Sequence, residues 1–519
     1  MSNIVVHTQK PDKHSLPYWL ITAVIACVIP LVTHVLLPAL GIGIFEHRLG
    51  ATTLPFLITL GLGGLLYTQY LRFSMRHPVV LAIYCAVFIQ LIYYLSSVLE
   101  SSGKPFPIRL VNIALLIVPT VLLLYKNFSY LNQNYNYFKY LVMFFSLLLL
   151  YFFVYNMNFI EPRVALVSSN TISQAKLHDY FYTFVGVVLV ASSFQQVGQP
   201  EGKAKLFHRF NIFLIGFGLI HGLITLLGFP LNLFSMVLEG FRRTMGLYSH
   251  PNEFGKIQGL LLIYFIGLYY YYCRSETFQH LKVRSVLGVT IVINILTFLL
   301  SMSKNSFASF GIACALFFGI SLFDVKLRRK ILIPLVFFAL LLILTLSGYQ
   351  AYTGHDLISS ISDRFNDTRS LRWRYSVWGY LLGNITWASI WIGHGLSASN
   401  MELYRFLFNT SKQSSEQSIF VHNAFINFLY DMGLSGMLIF SGFIAVGYQG
   451  LKSYFQTREP MLLCVVCLAV FLLICSMMDE CITSLNDCLL FWLLTTLIYS
   501  YFVTRPASKL KTLGAPHES

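Results

Sequence analysis

From Val421 to Gly436 the chain reads Val-His-Asn-Ala-Phe-Ile-Asn-Phe-Leu-Tyr-Asp-Met-Gly-Leu-Ser-Gly. His422 stands where a long polar stretch gives way to an apolar run, with the amides Asn423 and Asn427 and the phenol Tyr430 beside it. A titratable ring at a helix mouth, facing protein rather than lipid, suits proton transfer. The same residue type also serves as an interfacial anchor, and spacing alone leaves both readings open. At about 100° per residue, Gly433 lies about 20° round from His422 and Gly436 about 40° the other way. The spacing therefore predicts a helix with a stripe of small residues, Gly433 and Gly436, against which a second helix packs. Asp431 falls about 180° from His422 and is expected to pair with a neighbouring helix instead of orienting the ring.

Three groups of cations lie on the same side of the membrane as this candidate base, at its level, in the predicted topology. Arg242 and Arg243 occur in Phe241-Arg-Arg-Thr-Met-Gly-Leu-Tyr-Ser-His-Pro-Asn-Glu253. Lys304 occurs in Ser301-Met-Ser-Lys-Asn-Ser306, and Arg364, Arg369, Arg372 and Arg374 form a third run. Fixed cations beside one ionisable base make an anion site of the kind a diphosphate needs; arginine forks match phosphate oxygens bidentately. Each arginine taken singly could instead anchor the interface or meet a lipid headgroup. Asp479, Glu480 and Asp487 form an acidic patch on the same side, either solvated or opposing the arginines. His221 lies mid-span and reads as a satisfied buried histidine. Cys464-x-x-Cys467 falls inside an apolar run with no partner pair, so ordinary buried cysteines are expected. Cys481 and Cys488 flank a short outer loop at a spacing that permits pairing. No His/Asp/Glu spacing typical of a metal site occurs at membrane level, and no Gly-rich phosphate loop is present. No metal, cofactor, ATP or sugar nucleotide is therefore expected.

The elements that must position these residues are membrane spans. The chain has 519 residues, 56% hydrophobic and 11% charged, with mean hydropathy +0.67. Soluble domains carry about a quarter charged residues. Apolar runs recur along its whole length and predict an all-α polytopic membrane protein, a single integral domain over 1–519. About fourteen spans are expected, at 18–45, 51–71, 78–99, 107–125, 138–158, 178–197, 210–229, 254–273, 285–302, 305–323, 331–347, 421–449, 460–478 and 487–503. The first run is too long for a signal-peptide core. With the N-terminus inside, 21 of the 36 basic residues fall in short inner loops, the positive-inside pattern, which places both termini in the cytoplasm. The net charge of +15 is thus a matter of topology and not of nucleic-acid binding. One long outer loop, 348–420, separates spans eleven and twelve; its aromatic segment from Tyr375 to Trp391 is expected to be helical and to lie at the interface.

With these residues in place, the chain resembles the O-antigen ligase and polymerase family of bacterial membrane glycosyltransferases. His422, ten residues, Gly433 matches the ligase pattern, as does His422-Asn423, nine residues, Gly433, two residues, Gly436. Arg243, three residues, Leu247 matches another. His250-Pro-Asn252 resembles the family's usual Asn-Pro-Asn-like segment, and Arg374, Trp378 and Gly393-x-Gly395 resemble its large loop. The resemblance covers roughly 240–440. Where the family commonly has Ser-Arg, this chain has Ser303-Lys304, which keeps the charge but loses the fork.

The resemblance implies a GT-C-like bundle in the inner membrane, with its active face in the periplasm. The implied donor is a glycan on undecaprenyl diphosphate, and the acceptor a sugar hydroxyl on lipid A–core or on a lipid-linked repeat unit. His422 would be the base. Arg243, with Arg242, Arg372, Arg374 and Lys304, would hold the diphosphate, and Asn423 and Asn252 would contact substrate. Inversion without a metal is implied. A polymerase remains the alternative, although the polymerase-type Arg, ten residues, Gly pattern is absent from the outer loops. Transfer to a protein hydroxyl is a third acceptor class. A flippase or transporter fits the span count, but its site is expected nearer the bilayer midplane.

Overall fold

A computed structural model describes residues 200–231, 234–238, 241–246, 248, 250–273, 278–323, 368–395, 398–409, 421–479 and 485–502, with scattered positions at 138–195 and 343–366. The first six expected spans and the eleventh fall wholly or largely outside these residues, as do Leu247, Arg364, Ser411–Ser418, Glu480 and Cys481. The order is α1 (Pro200–Gly228), β1 (Ser235–Leu238), β2 (Phe241–Thr244), α2 (Pro251–Cys273), α3 (Phe278–Leu300) and α4 (Lys304–Leu322). Then come α5 (Arg369–Gly383), α6 (Ser389–Ile392), α7 (Ala398–Asn409), α8 (Ala424–Met432), a 3-10 turn (Gly433–Met437), α9 (Leu438–Thr457), α10 (Pro460–Met478) and α11 (Leu485–Phe502). Among the described residues, five helices are long and apolar enough to cross a membrane: 200–228, 281–300, 304–322, 424–457 and 460–478.

The core forms around α2 and α10. α2 packs against α3, α4, α10 and α11, and α10 also packs against α4 and α9. α10 is apolar on nearly every side, as a helix enclosed by other helices must be. Phe254, Leu260, Phe265 and Leu268 of α2 meet Leu468, Phe471 and Leu472 of α10 in one buried cluster. Near its N-terminus, α2 approaches the α3–α4 turn so closely that a Cβ at Gly255 would lie 2.8 Å from that of Ser303. A second, smaller core seats the loop helices: Val377, Trp378 and Leu381 of α5 pack on Leu403, Val421 and Tyr430.

Two expectations are corrected. The chain is mostly helical but not all-α. Ser235–Leu238 and Phe241–Thr244 pair as an antiparallel hairpin, with Met236 opposite Arg243 and Val237 opposite Arg242. Glu239-Gly240 between them gives the two-residue spacing of a tight hairpin, a local signal that the hydropathy reading passed over. The second concerns the span expected at 421–449. At 1.5 Å per residue, the 34 residues of 424–457 would extend about 51 Å, against about 30 Å of hydrocarbon. α8 ends at Gly433, whose φ is 63°, and the chain restarts as α9 after the 3-10 turn. Phe425 stacks on Phe440 at 3.9 Å, so α8 folds back against the head of α9. The predicted stripe from His422 through Gly433 to Gly436 is therefore not one helical face.

Gly433 has a different use. A Cβ there would lie 2.5 Å from the carbonyl carbon of Trp391, so two backbones cross in contact. At that crossing His394 N–H donates to Tyr430 O at 2.9 Å and Gly395 N–H to Asp431 O at 2.8 Å. The Gly393-x-Gly395 segment thus satisfies carbonyls that the end of α8 leaves without helical partners.

Candidate active site

The site is organised by the C-terminal end of α10. The last carbonyls of a helix have no intrahelical donors and carry the negative end of its dipole. Three elements supply donors. Asn305 of α4 donates to Cys475 O at 2.8 Å, Asn423 to Met477 O at 2.9 Å, and Arg374 of α5 to Met478 O at 2.7 Å. Asp479 follows directly, and its two oxygens diverge. Oδ1 lies 3.4 Å from His422 Nδ1, and Oδ2 lies 3.5 Å from Lys256 Nζ.

His422 is held from both sides. Trp378, one turn after Arg374 on the same face of α5, donates from Nε1 to Val421 O at 2.8 Å. Asn423 caps α8, its Oδ1 accepting from Ile426 N–H at 3.0 Å while its Nδ2 reaches α10. Between these anchors His422 takes φ 53°, a conformation uncommon for a residue other than glycine and enriched at functional positions. The spacing of Arg374 and Trp378 therefore has a physical reason: one helix face clamps both the end of α10 and the residue before the imidazole.

Arg243 enters from the hairpin. Its Nε donates to Ser301 O at 2.9 Å and its Nη2 to Asn252 Oδ1 at 2.5 Å. Only 2% of the residue is exposed. Burial, with Arg374 alongside, pushes its pKa down to about 10, so the guanidinium stays charged at neutral pH. Lys256 sits one turn after Asn252 on α2, 3% exposed. Burial alone would raise the Asp479 carboxyl, but Lys256, His422 and Arg374 outweigh it and hold that group well below the ordinary carboxylate range. His250 is pushed down to about 4 by burial, then by Arg243, Lys256 and His422, against the opposite pull of Asp479. One imidazole–carboxylate pair thus lies among Arg243, Lys256 and Arg374, a desolvated group in which cations outnumber the carboxylate.

The structure brings together His422, Arg243, Arg374, Asn252 and Asn423, with Lys304 heading α4 directly after the turn that accepts from Arg243. It separates two others. Successive strand residues face opposite sides, and Arg242 turns back to the end of α1, donating to Phe229 O and Ser235 Oγ with its guanidinium over the Phe229 ring. Arg372 is exposed and lies about 200° round α5 from Arg374. Asn252 Oδ1 accepts from Arg243, and the Asn423 side chain accepts from Ile426 N–H and donates to Met477 O. Asp431 Oδ1 accepts from Ser399 N–H of α7 at 2.8 Å, the neighbouring-helix pairing that its position predicts. The Arg369 side chain and the Asp487 side chain lie outside the described residues.

Sequence reasoning missed Lys256 and the partnership of Asp479 with His422. Lys256 had a usable signal, since it follows Asn252 by four residues and so shares its helix face. Asp479 is 57 residues from His422, and nothing local to either indicates the pairing. Cys464 and Cys467 are free and buried, as expected of core cysteines. No cluster of three potential metal ligands occurs among the described residues.

These features define a mostly helical membrane protein with a cation-lined imidazole–carboxylate site at one end of its bundle. Residues 289–441 match the family model of O-antigen ligases. The match spans less than a third of the chain, and over that segment the protein is similar to O-antigen ligases. The matched segment holds Lys304, Arg374, Trp378, His422 and Gly433; Arg243, Lys256 and Asp479 lie outside it. No curated protein matches the chain.

Proposed function

We propose that the protein is an inverting, metal-independent O-antigen ligase of the bacterial inner membrane. It moves a glycan from undecaprenyl diphosphate to a sugar hydroxyl of lipid A–core at the periplasmic face, with both termini cytoplasmic. The observation that carries this reading is the His422–Asp479 contact lying among Arg243, Lys256 and Arg374. Asp479, a carboxylate at neutral pH, accepts from His422 Nδ1–H and leaves Nε2 as the basic nitrogen. Nε2 takes the proton of the acceptor hydroxyl while that oxygen attacks the anomeric carbon. The bond from the anomeric carbon to the diphosphate oxygen breaks, and its electron pair leaves with the diphosphate. Inversion follows from attack opposite the leaving group. Arg243, Arg374 and Lys256 stabilise the charge that develops there, which preorganised cations do best in a desolvated site. The 3.4 Å contact is long, as catalytic hydrogen bonds often are before substrate binds.

The test is a reconstituted assay with donor and acceptor on the same side of the membrane. Wild-type protein should form product with EDTA present, and His422→Ala should insert normally yet form none. A flippase gives no product in this geometry. In a deletion strain, lipid-linked polymer should accumulate while long glycan disappears from the core. Core carrying a single repeat would identify a polymerase instead.

A further inference from the structure

His250 belongs to the cluster, yet the transfer proposed above does not use it. It closes the N-terminus of α2, where its carbonyl accepts from Phe254 N–H at 3.1 Å. Its ring Nδ1 accepts from Asn252 N–H, also at 3.1 Å. An imidazole here does what a short oxygen-bearing side chain usually does at an N-cap. A backbone N–H can only donate, so Nδ1 must keep its lone pair, and the proton of the neutral ring sits on Nε2.

The surroundings hold the ring in that form. Arg243 from the hairpin, Lys256 from α2 itself and His422 from the segment before α8 disfavour a second proton; Asp479 after α10 favours one. The positive end of the α2 dipole sides with the cations. A second proton would also take the lone pair that caps the helix. The ring is therefore ill suited to be a second base. It is a neutral donor with a fixed tautomer, within electrostatic reach of the buried cations Arg243 and Lys256.

We propose that His250 is a diphosphate-binding residue: its Nε2–H donates to an oxygen of the polyprenyl diphosphate between Arg243 and Lys256, while Nδ1 holds the helix that carries Asn252 and Lys256. This rests on reading the site as a polyprenyl-diphosphate site. A neutral donor adds a directed contact without adding to the crowding of like charges, and its state does not change across the neutral pH range.

The test uses full-length protein in detergent, with His250→Asn and His250→Ala compared by thermal shift. The probes are undecaprenyl diphosphate without glycan and undecaprenyl monophosphate. Asparagine can still cap the helix but is too short to offer the distal donor. His250→Asn should keep the melting midpoint of the free protein and bind the diphosphate about tenfold more weakly, the usual scale for one hydrogen bond to a charged group. His250→Ala should show the same loss of binding and a lower midpoint. The monophosphate should protect wild type less than the diphosphate does. Wild-type affinity in His250→Asn would reduce the residue to a cap and overturn the proposal. So would equal protection by the monophosphate, because the site would then read a single headgroup phosphate. If diphosphate binding depends on His250 but wild type transfers no glycan, the assignment of His250 stands and the ligase reading falls.

Discussion

His221 and His422 are both enclosed by helices and both touch a polar side chain, yet their surroundings differ in kind. His221 is fully buried inside α1, its Nδ1 3.0 Å from Gln258 Nε2, its ring stacked on Phe217 with Tyr248 and Phe254 at its edges. Nearby, Asn294 donates to Gly218 O at 3.0 Å and Thr290 O at 2.7 Å. That region is neutral and ties α1, α2 and α3 together by amide contacts. His422 instead meets a carboxylate, stands among three cations and keeps 20% of its side chain exposed. The difference follows from position along the bundle. An uncompensated charge deep in the bilayer is expensive, whereas helix ends, loop helices and the hairpin can all bring cations to one level near water. Burial in neutral surroundings fits a structural role for His221; charge together with access fits the role proposed for His422.

The largest effect that would break this contrast is the loss of either ring. His422→Ala should lower transfer by about 10²–10⁴-fold, the range for a positioned base, while the protein still inserts in the membrane. His221→Ala should lower the thermal midpoint and leave the specific activity of folded protein within a few-fold. If the two variants trade these outcomes, the assignment is inverted. Next in size is Arg243. Arg243→Ala removes both the buried charge and the bonds to Ser301 O and Asn252 Oδ1, and should cost about 10²-fold in kcat/KM. Arg243→Lys keeps the charge without the fork and should cost about tenfold. Equal and mild effects would make Arg243 a structural tie, as Gln258 is to His221. Asp479→Asn should lower kcat by about 10–10²-fold and also destabilise the protein, because Lys256 loses its buried counter-ion. Asp479→Glu should recover part of the stability, and a comparison of kcat in the folded fraction separates the two consequences.

Much of this was legible from residue types and spacing, and the failures have physical causes. Helix ends were readable where apolar runs end cleanly: 460–478 was expected and Pro460–Met478 is observed. The span at 421–449 was misread because periodicity counts apolar residues and cannot see a glycine with positive φ crossing another backbone at Trp391. The placement of cations at one end followed from topology, and Arg243 and Arg374 do meet there. Which cations meet was not legible. Arg242 differs from Arg243 only in strand parity, and parity is invisible until the hairpin is recognised. Asp479 could be placed on the correct side but not beside His422, because that contact is made by the packing of α8 on α10.

The smallest expected effect concerns acid. His250 is depressed to about 4 in the folded protein, against about 6.5 for an unperturbed imidazole. Between those values the unfolded chain binds a proton that the folded chain refuses, so stability is full above pH 6.5 and falls as the pH drops toward 4. Allowing for solvent screening of a partly exposed ring, the loss is about 1–2 kcal/mol. Asp479 acts in the same direction but lower: its contribution is present above the ordinary carboxylate pKa and is lost only as pH falls below it. Thermal midpoints measured from pH 7.5 to 3 should therefore decline in two stages. His250→Asn should shrink the upper stage, to which His394, depressed by burial, also contributes, and leave the lower one, while Asp479→Asn should flatten the lower. An upper stage undiminished by His250→Asn would mean that His250 carries none of the depressed proton affinity, and the cations around it would then be farther from its ring than the cluster at the end of α10 requires.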